Sequence, residues 1–227
     1  MANFGLLTLI YYATMDNKIA NIRSDYTLNG LHESELDINP LNQFSKWFDE
    51  ALKSEITEPN AMLLSTAHLG RPAGRIVLLK GVDDKGFTFF TNYQSKKGQE
   101  MAENPQVAVT FFWKELERQV RIEGRIEKTA AAESDAYFAS RPRGSQIGAW
   151  VSDQSEVIAD REFLAEKLKS FETKFEGVDV PRPAHWGGYR VIPDYVEFWQ
   201  GRPSRLHDRL AYVATESGAW KIERLSP

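Results

Sequence analysis

The chain has 227 residues, 42% of them hydrophobic and 26% charged, which is an ordinary globular composition. A net charge of −4 and a pI near 5.7 exclude the broad basic face that general nucleic-acid binding needs, so local cationic clusters point to small anions. There is no cysteine, which removes disulfides, thiolate nucleophiles and Cys-ligated metals, and His32, His68, His185 and His207 form no metal-binding pair.

The opening MANFGLLTLIYYATM holds an apolar run too short for a membrane span, which needs ~20 residues. It has no basic n-region, and no arginine precedes Arg23, so neither a signal nor a transit peptide fits. The run reads as a loosely ordered extension or as a strand packed elsewhere, with Met15 as a second candidate start. The polar stretch Asn17 to Asn39 reads as an arm, and the organisation expected is an arm over residues 1–30 and one domain over 31–227.

Asn39-Pro40 joins an N-cap to a proline at the first helical position. Leu41, Phe44, Trp47, Phe48 and Leu52 follow at helical spacing and predict a helix to about Ser54. From Ala61 the runs AMLLSTAH, RIVLLKGV, FTFFTNY, QVAVTFFW and RQVRIEGRIEK, separated by GRPAG, DDKG and ENP turns, predict strands. In the last of these, Val120, Ile122 and Ile126 alternate with charged residues, giving one buried face and one polar face. Helices are expected at AAAESDAYFASR and at DREFLAEKLKSFETKF, the second with Phe163, Leu164, Leu168, Phe171 and Phe175 as a core stripe. GYRVIPDYVEFWQG and RLAYVA…GAWKIERL close the chain as strands, the last pair a hairpin through Glu216-Ser217-Gly218. The pattern is mainly β, an antiparallel β-barrel with peripheral helices.

No GxGxxG follows a strand and no P-loop is present, so any bound phosphate must be held by side chains. Three clusters offer them. In RIVLLK, alternation puts Arg75, Val77 and Leu79 on one face and Ile76, Leu78 and Lys80 on the other, so the two cations serve opposite sides. Ser95-Lys96-Lys97 is either a solvated lysine pair or the start of a helix whose amides meet an anion. In SRPRGSQ, Tyr137 and Arg141 are four apart on one helix face and Ser145 follows, a set that suits a phosphomonoester or a surface ion-pair patch. Near the C-terminus, Arg205 and His207 share a face at strand-like alternation. That histidine is either structural or an imidazole kept neutral by neighbouring arginines.

Taken in order, RIVLLK, TNYQSKKGQEMAENP, FFWKELERQVRIEG, YFASRPRGSQIGAWVSDQS and EFWQGRPSRLHDR resemble the pyridoxamine/pyridoxine 5′-phosphate oxidase family, over a stretch from about Arg23 to the C-terminus. The resemblance implies an FMN-binding split β-barrel, a cytoplasmic homodimer with FMN between subunits. It also implies oxidation of pyridoxine or pyridoxamine 5′-phosphate to pyridoxal 5′-phosphate, with O2 reduced to peroxide. No nucleic acid, membrane or metal partner is expected. By resemblance, FMN meets the run Arg75, Ile76, Val77, Leu78, Leu79 and Lys80, then Phe90, Thr91, Lys96, Lys97, Gln119, Gln154, Ser155, Trp199 and Arg209. The substrate phosphate meets Lys80, Tyr137, Arg141 and Ser145. Arg205 and His207 lie over the pyridine ring as catalytic residues, and Arg23 and Tyr26 belong to a lid. Lys96 stands where the family commonly has arginine, which keeps the charge but loses the fork. The alternatives are another flavin oxidoreductase on the same barrel, or a non-catalytic binder of pyridoxal phosphate or flavin.

Overall fold

The computed structural model describes residues 19–22 and 25–227; the apolar run at 1–15 and Arg23 lie outside the described residues. The first long element is α1 (Pro40–Lys53). The Asn39 side chain accepts a hydrogen bond from the Leu41 N–H at 2.9 Å, and Pro40 enters where its missing N–H leaves no partner unmet. The predicted apolar stripe is buried over most of its length. Phe44 lies edge-on to Phe87 at 4.9 Å, and Trp47 meets Phe198 at 5.1 Å. Leu52, counted in that stripe, stands exposed instead.

Among the described residues nine antiparallel strands form the body: β1 (Ala61–His68), β2 (Arg71–Leu78), β3 (Gly81–Asp83), β4 (Gly86–Asn92), β5 (Gln106–Trp113), β6 (Arg118–Lys128), β7 (Trp186–Gln200), β8 (Asp208–Ala214) and β9 (Trp220–Arg224). Around them lie α2 (Lys96–Glu103), α3 (Ala131–Ser140), α4 (Arg143–Val151) and α5 (Arg161–Lys174). The strand path is β2-β1-β5-β6-β7-β4-β3, with β8 on β7 and β9 on β8. No ladder joins β2 to β3 among the described residues, so the expected barrel is an open one.

β7 is where the sheet divides. β6 runs along one edge for most of its length, while on the other edge β4 takes Trp186–Val191 and β8 takes Tyr195–Gln200. Between these two partners sits Pro193, which has no N–H for a ladder, and the register against β6 shifts there between Glu123 and Gly124. Gly124 is required at this crossing, because a Cβ would sit 2.1 Å from the Ile192 carbonyl oxygen. Inward residues of the strands, among them Val109, Phe111, Val120, Ile122, Val196, Phe198, Leu210 and Tyr212, are buried. A second cluster of Phe138, Ile147, Val151, Phe175, Val180 and Trp186 fastens α3 and α4 to the start of β7.

Four local expectations change. GRPAG is not a turn: the chain reverses at Leu69-Gly70, and Arg71 already pairs with His68. SRPRGSQ does not simply follow a helix, because α4 begins at Arg143, with Arg141 and Pro142 as the break between α3 and α4. In α5, Phe163 and Leu168 are exposed, so the core stripe is reduced to Leu164, Phe171 and the buried Phe175. The Arg205–His207 stretch is no strand: Pro203–Arg205 form a tight turn in which Ser204 and Arg205 take φ of 57° and 61°.

Candidate active site

One cleft, of about 470 Å³, brings together most of the residues that the sequence assigned to the two phosphates. Ile76, Val77 and Leu78 reach it from the end of β2 and Lys80 from the link to β3, Phe90 and Thr91 from β4, Lys97 from α2, Tyr137 from α3 and Arg141 from its C-cap, Ser145 from α4, and Gln154 beyond α4. Pro142 and Trp186 complete the wall, and sequence reading missed both. Trp186 had a signal, a bulky aromatic heading a strand, but nothing in its spacing aims it at Tyr137. Tyr137 stacks on Phe90 at 3.9 Å and lies parallel to Trp186 at 6.2 Å.

Arg141 ends α3 with its guanidinium 4.5 Å from the centre of the Trp186 ring. Its Nη1 is buried and has no hydrogen-bond partner among the described residues. Burial works against its charge, with Tyr137 pulling the other way. Such an orphan donor costs ~1–3 kcal/mol, a cost that an anion in the cleft would remove. α4 starts beside it with Pro142 as N-cap and no side-chain cap; the Pro142 carbonyl takes the Ser145 and Gln146 amides, and the helix start ahead of them favours an anion.

Lys97 Nζ donates to Gln154 Oε1 at 2.5 Å and to Thr91 Oγ1 and Ser95 Oγ at 3.2 Å, all neutral acceptors. Burial first, then the positive charge of Arg75, lower its pKa to about 8, and Glu100 opposes them. Lys96 points outward, 4.0 Å from a Glu100 oxygen.

A second cleft, of about 590 Å³, is lined by Tyr26, Trp199, Arg202, Ser204, Arg205 and His207, with Ile22 and Asp25 at its rim. His207 lies 4.6 Å from Trp199, and Tyr26 stands edge-on to both rings. The Arg202 backbone N–H donates to His207 Nδ1 at 3.1 Å, so the neutral ring carries its proton on Nε2. Burial, then the charge of Arg205, hold the His207 pKa below the usual imidazole value. His207 is therefore a neutral donor at neutral pH. Arg205 and His207 meet at one cleft as expected, through a turn and not through strand alternation.

The remaining assigned residues lie elsewhere. Gln119, Trp199 and Arg209 form one row across β6, β7 and β8, each directly opposite the next. Arg209 grips Glu197 through Nε at 2.8 Å and Nη2 at 3.1 Å. Glu197 is 1% exposed; burial alone would raise its pKa, but hydrogen bonds from Arg209 and Tyr195 hold it low. Arg75 turns away from the first cleft and bonds Glu100 and Thr66, but Val77, which alternation put on the face of Arg75, lines that cleft beside Ile76 and Leu78 near the strand end. Leu79 is core, and Ser155 sits on an exposed turn at φ 78°.

The comparison with known proteins now bears on these clefts. The family model for pyridoxamine 5′-phosphate oxidase matches residues 48–175, more than half of the chain. The chain belongs to the pyridoxamine 5′-phosphate oxidase family. The model for the family's pyridoxine 5′-phosphate oxidase C-terminal dimerisation region matches residues 186–227, the stretch that carries Trp199, Arg205, His207 and Arg209. A Nostoc relative named pyridoxine/pyridoxamine 5′-phosphate oxidase is 59% identical over 94% of this chain and 100% of its own. Another of that name, from Cupriavidus pinatubonensis, is 56% identical over 92% of this chain and 99% of its own. Among solved structures, PhzG from Burkholderia lata, in complex with tetrahydrophenazine-1-carboxylic acid, superposes with a TM-score of 0.83 at 29% identity, covering 90% of this chain and 100% of that one. A family-related FMN binding protein from Nostoc punctiforme shares the fold, with a TM-score of 0.66 at 15% identity, covering 85% of this chain and 100% of that one. Among the described residues no helix is long and apolar enough to cross a membrane, and no acidic or histidine cluster fits a metal.

Proposed function

We propose that the chain oxidises pyridoxamine and pyridoxine 5′-phosphates to pyridoxal 5′-phosphate with bound FMN, electrons passing to O2 to give hydrogen peroxide. The observation that carries this reading is the unpartnered, buried Nη1 of Arg141, in a cleft shared with Lys80, Tyr137 and Ser145. A phosphomonoester satisfies it. The residues also fit a flavin phosphate, since Lys97 sits among neutral oxygens and, among the described residues, no carboxylate bonds it. FMN, when bound, supplies two-electron chemistry that no side chain of a cysteine-free protein can provide.

The chain's own residues bind and orient. Lys80, Tyr137, Arg141 and Ser145 hold the substrate phosphate; Arg205 faces developing charge, and His207 donates from Nε2 to a ring substituent. Tyr26 closes over them from the arm. The two clefts share no lining residue: Trp186 and Trp199 mark them at opposite ends of β7, thirteen positions and ~40 Å of extended chain apart. A second copy of the chain, docked through the dimerisation region, supplies the second half of each site. The outward Ile76, Leu63 and Phe112, exposed apolar residues on β2, β1 and β5, suit such a partner surface.

The purified protein should be yellow. Its flavin spectrum should bleach when pyridoxamine 5′-phosphate is added without oxygen, and recover in air with release of peroxide. A protein that takes up FMN but shows neither bleaching nor peroxide is a binder, and the oxidase reading fails.

The state of Lys97 gives a second expected result. Its amine is charged below about pH 8 and neutral above, so it supports a flavin phosphate on the acid side of that value and loses its grip as pH rises through it. FMN affinity should fall about tenfold per pH unit above this point, until the pKa in the complex is passed. In Lys97→Arg the charge persists and this slope should vanish. Titration of flavin-free protein at several pH values checks it; equal slopes for the two proteins would remove Lys97 from the phosphate site.

A further inference from the structure

Among the described residues two carboxylates are buried, Glu100 and Glu197, and each closes on one of the two arginines assigned to the flavin. Glu197 points to the outward side of β7, the side of Trp199, and should be solvated there. It is instead covered by its partners: Arg209 bonds both of its oxygens, Tyr195 Oη donates to Oε2 at 3.0 Å, and Arg121 Nη1 lies 3.3 Å from the same atom. Arg209 Nη1 in turn donates to the Ser226 carbonyl at 2.9 Å. The Nε–Nη2 edge of the fork is locked, on a residue that stands directly opposite Trp199 in the ladder. Glu100, on α2, makes a comparable pair with Arg75. Its Oε2 takes Arg75 Nη2 at 2.9 Å and the Thr66 hydroxyl at 2.6 Å, while Thr66 Oγ1 also accepts from Arg75 Nη1 at 2.6 Å.

Neither glutamate lines either of the two clefts, and burial of a carboxylate is costly unless its partners return the energy. A negative charge beside the site of a phosphorylated cofactor would, by simple attraction, weaken binding. We propose that Glu197 is a positioning residue that holds Arg209 in the orientation the flavin needs, so that geometry gained outweighs charge lost; Glu100, which holds Arg75 away from the first cleft, is not part of the proposal. This rests on the flavin reading above.

The sign of one measurement separates orientation from charge. Glu197→Gln keeps the shape of the side chain and leaves the local charge more positive. If orientation governs, FMN should bind about tenfold to a hundredfold more weakly in this variant, the loss expected for one charge-assisted hydrogen bond. The absorption bands of the bound flavin should shift in Glu197→Gln as Arg209 swings free. Tighter binding would mean that charge dominates, and unchanged binding with a lowered melting temperature would mean a purely structural role; either overturns the proposal for that glutamate. Melting temperature is read on flavin-free protein, and flavin affinity on the folded fraction alone. Should Glu197→Gln fail to fold, Tyr195→Phe removes one donor to the same oxygen and should weaken FMN in the same direction, and no change there would count against Glu197. The parent chain is titrated alongside: if it takes up no FMN, the cofactor reading fails, whereas uptake by the parent with no loss in the variants defeats only the positioning role.

Discussion

Replacing Arg205 with alanine should lower kcat by about 10²–10³ while FMN remains bound, the loss typical of removing one preorganised donor from a site of developing charge. Arg205 lies on the Pro203–Arg205 turn, and its side chain lines the second cleft beside His207. It does not belong to the Gln119–Trp199–Arg209 row, so flavin affinity should hardly move. Alanine has the same Cβ as arginine at a φ of 61°, so the substitution leaves backbone strain as it was and isolates the guanidinium. A second readout comes from His207, whose pKa is held down by burial and then by Arg205. Because this pKa is depressed, the neutral ring is present above it and lost as pH falls through it. Without Arg205 the value should move up toward the usual imidazole range, and the acid limb of the kcat profile should move with it. Arg205→Lys keeps the charge and should keep the acid limb, yet still lose rate because the fork is gone. Rapid-mixing measurement of flavin reduction by substrate checks both; near-parent rates in Arg205→Ala would remove Arg205 from the chemistry.

Much of this layout was legible in the sequence, and the exceptions have physical causes. Alternation found the strands because one face is buried on Val109, Phe111, Val120 and Ile122, and the Asn39-Pro40 cap found α1. The hairpin turned at Glu216 to Gly218 for a reason that sequence displays, a glycine at positive φ. α4 was missed because Gly144 and Gly148 weaken its helix propensity, and what holds it is tertiary burial of Ile147 and Val151. The Arg205 turn was misread because non-glycine residues at positive φ leave no trace in composition. Exposure of Phe163 and Leu168 was invisible for a different reason: spacing shows that a helix has an apolar stripe, not that anything covers it. Glu197 shows the converse. Its parity puts it outside the core, and its burial by Arg121, Tyr195 and Arg209 depends on long side chains folding over it.

Arg141→Ala should raise KM for pyridoxamine 5′-phosphate by about tenfold to a hundredfold, with kcat far less affected, since the group lost binds substrate and transition state alike. The guanidinium sits in a built pocket, 4.5 Å from the Trp186 ring and with Nη1 buried and unpartnered, so no rival protein acceptor competes for the phosphate there. The effect should be confined to phosphorylated compounds. Pyridoxamine without its phosphate makes no contact with Arg141, and its poor turnover should be nearly the same in parent and variant, so the ratio between the two substrates collapses. That comparison answers the objection that Arg141 merely braces Trp186 and Tyr137, because a loosened wall would harm both substrates equally. Arg141→Lys should recover part of the affinity as a point charge without the fork. Steady-state kinetics with the two substrates decide the matter: an unchanged KM for the phosphorylated one, or an equal loss for both, would take Arg141 out of the clamp and leave its buried Nη1 without an explanation.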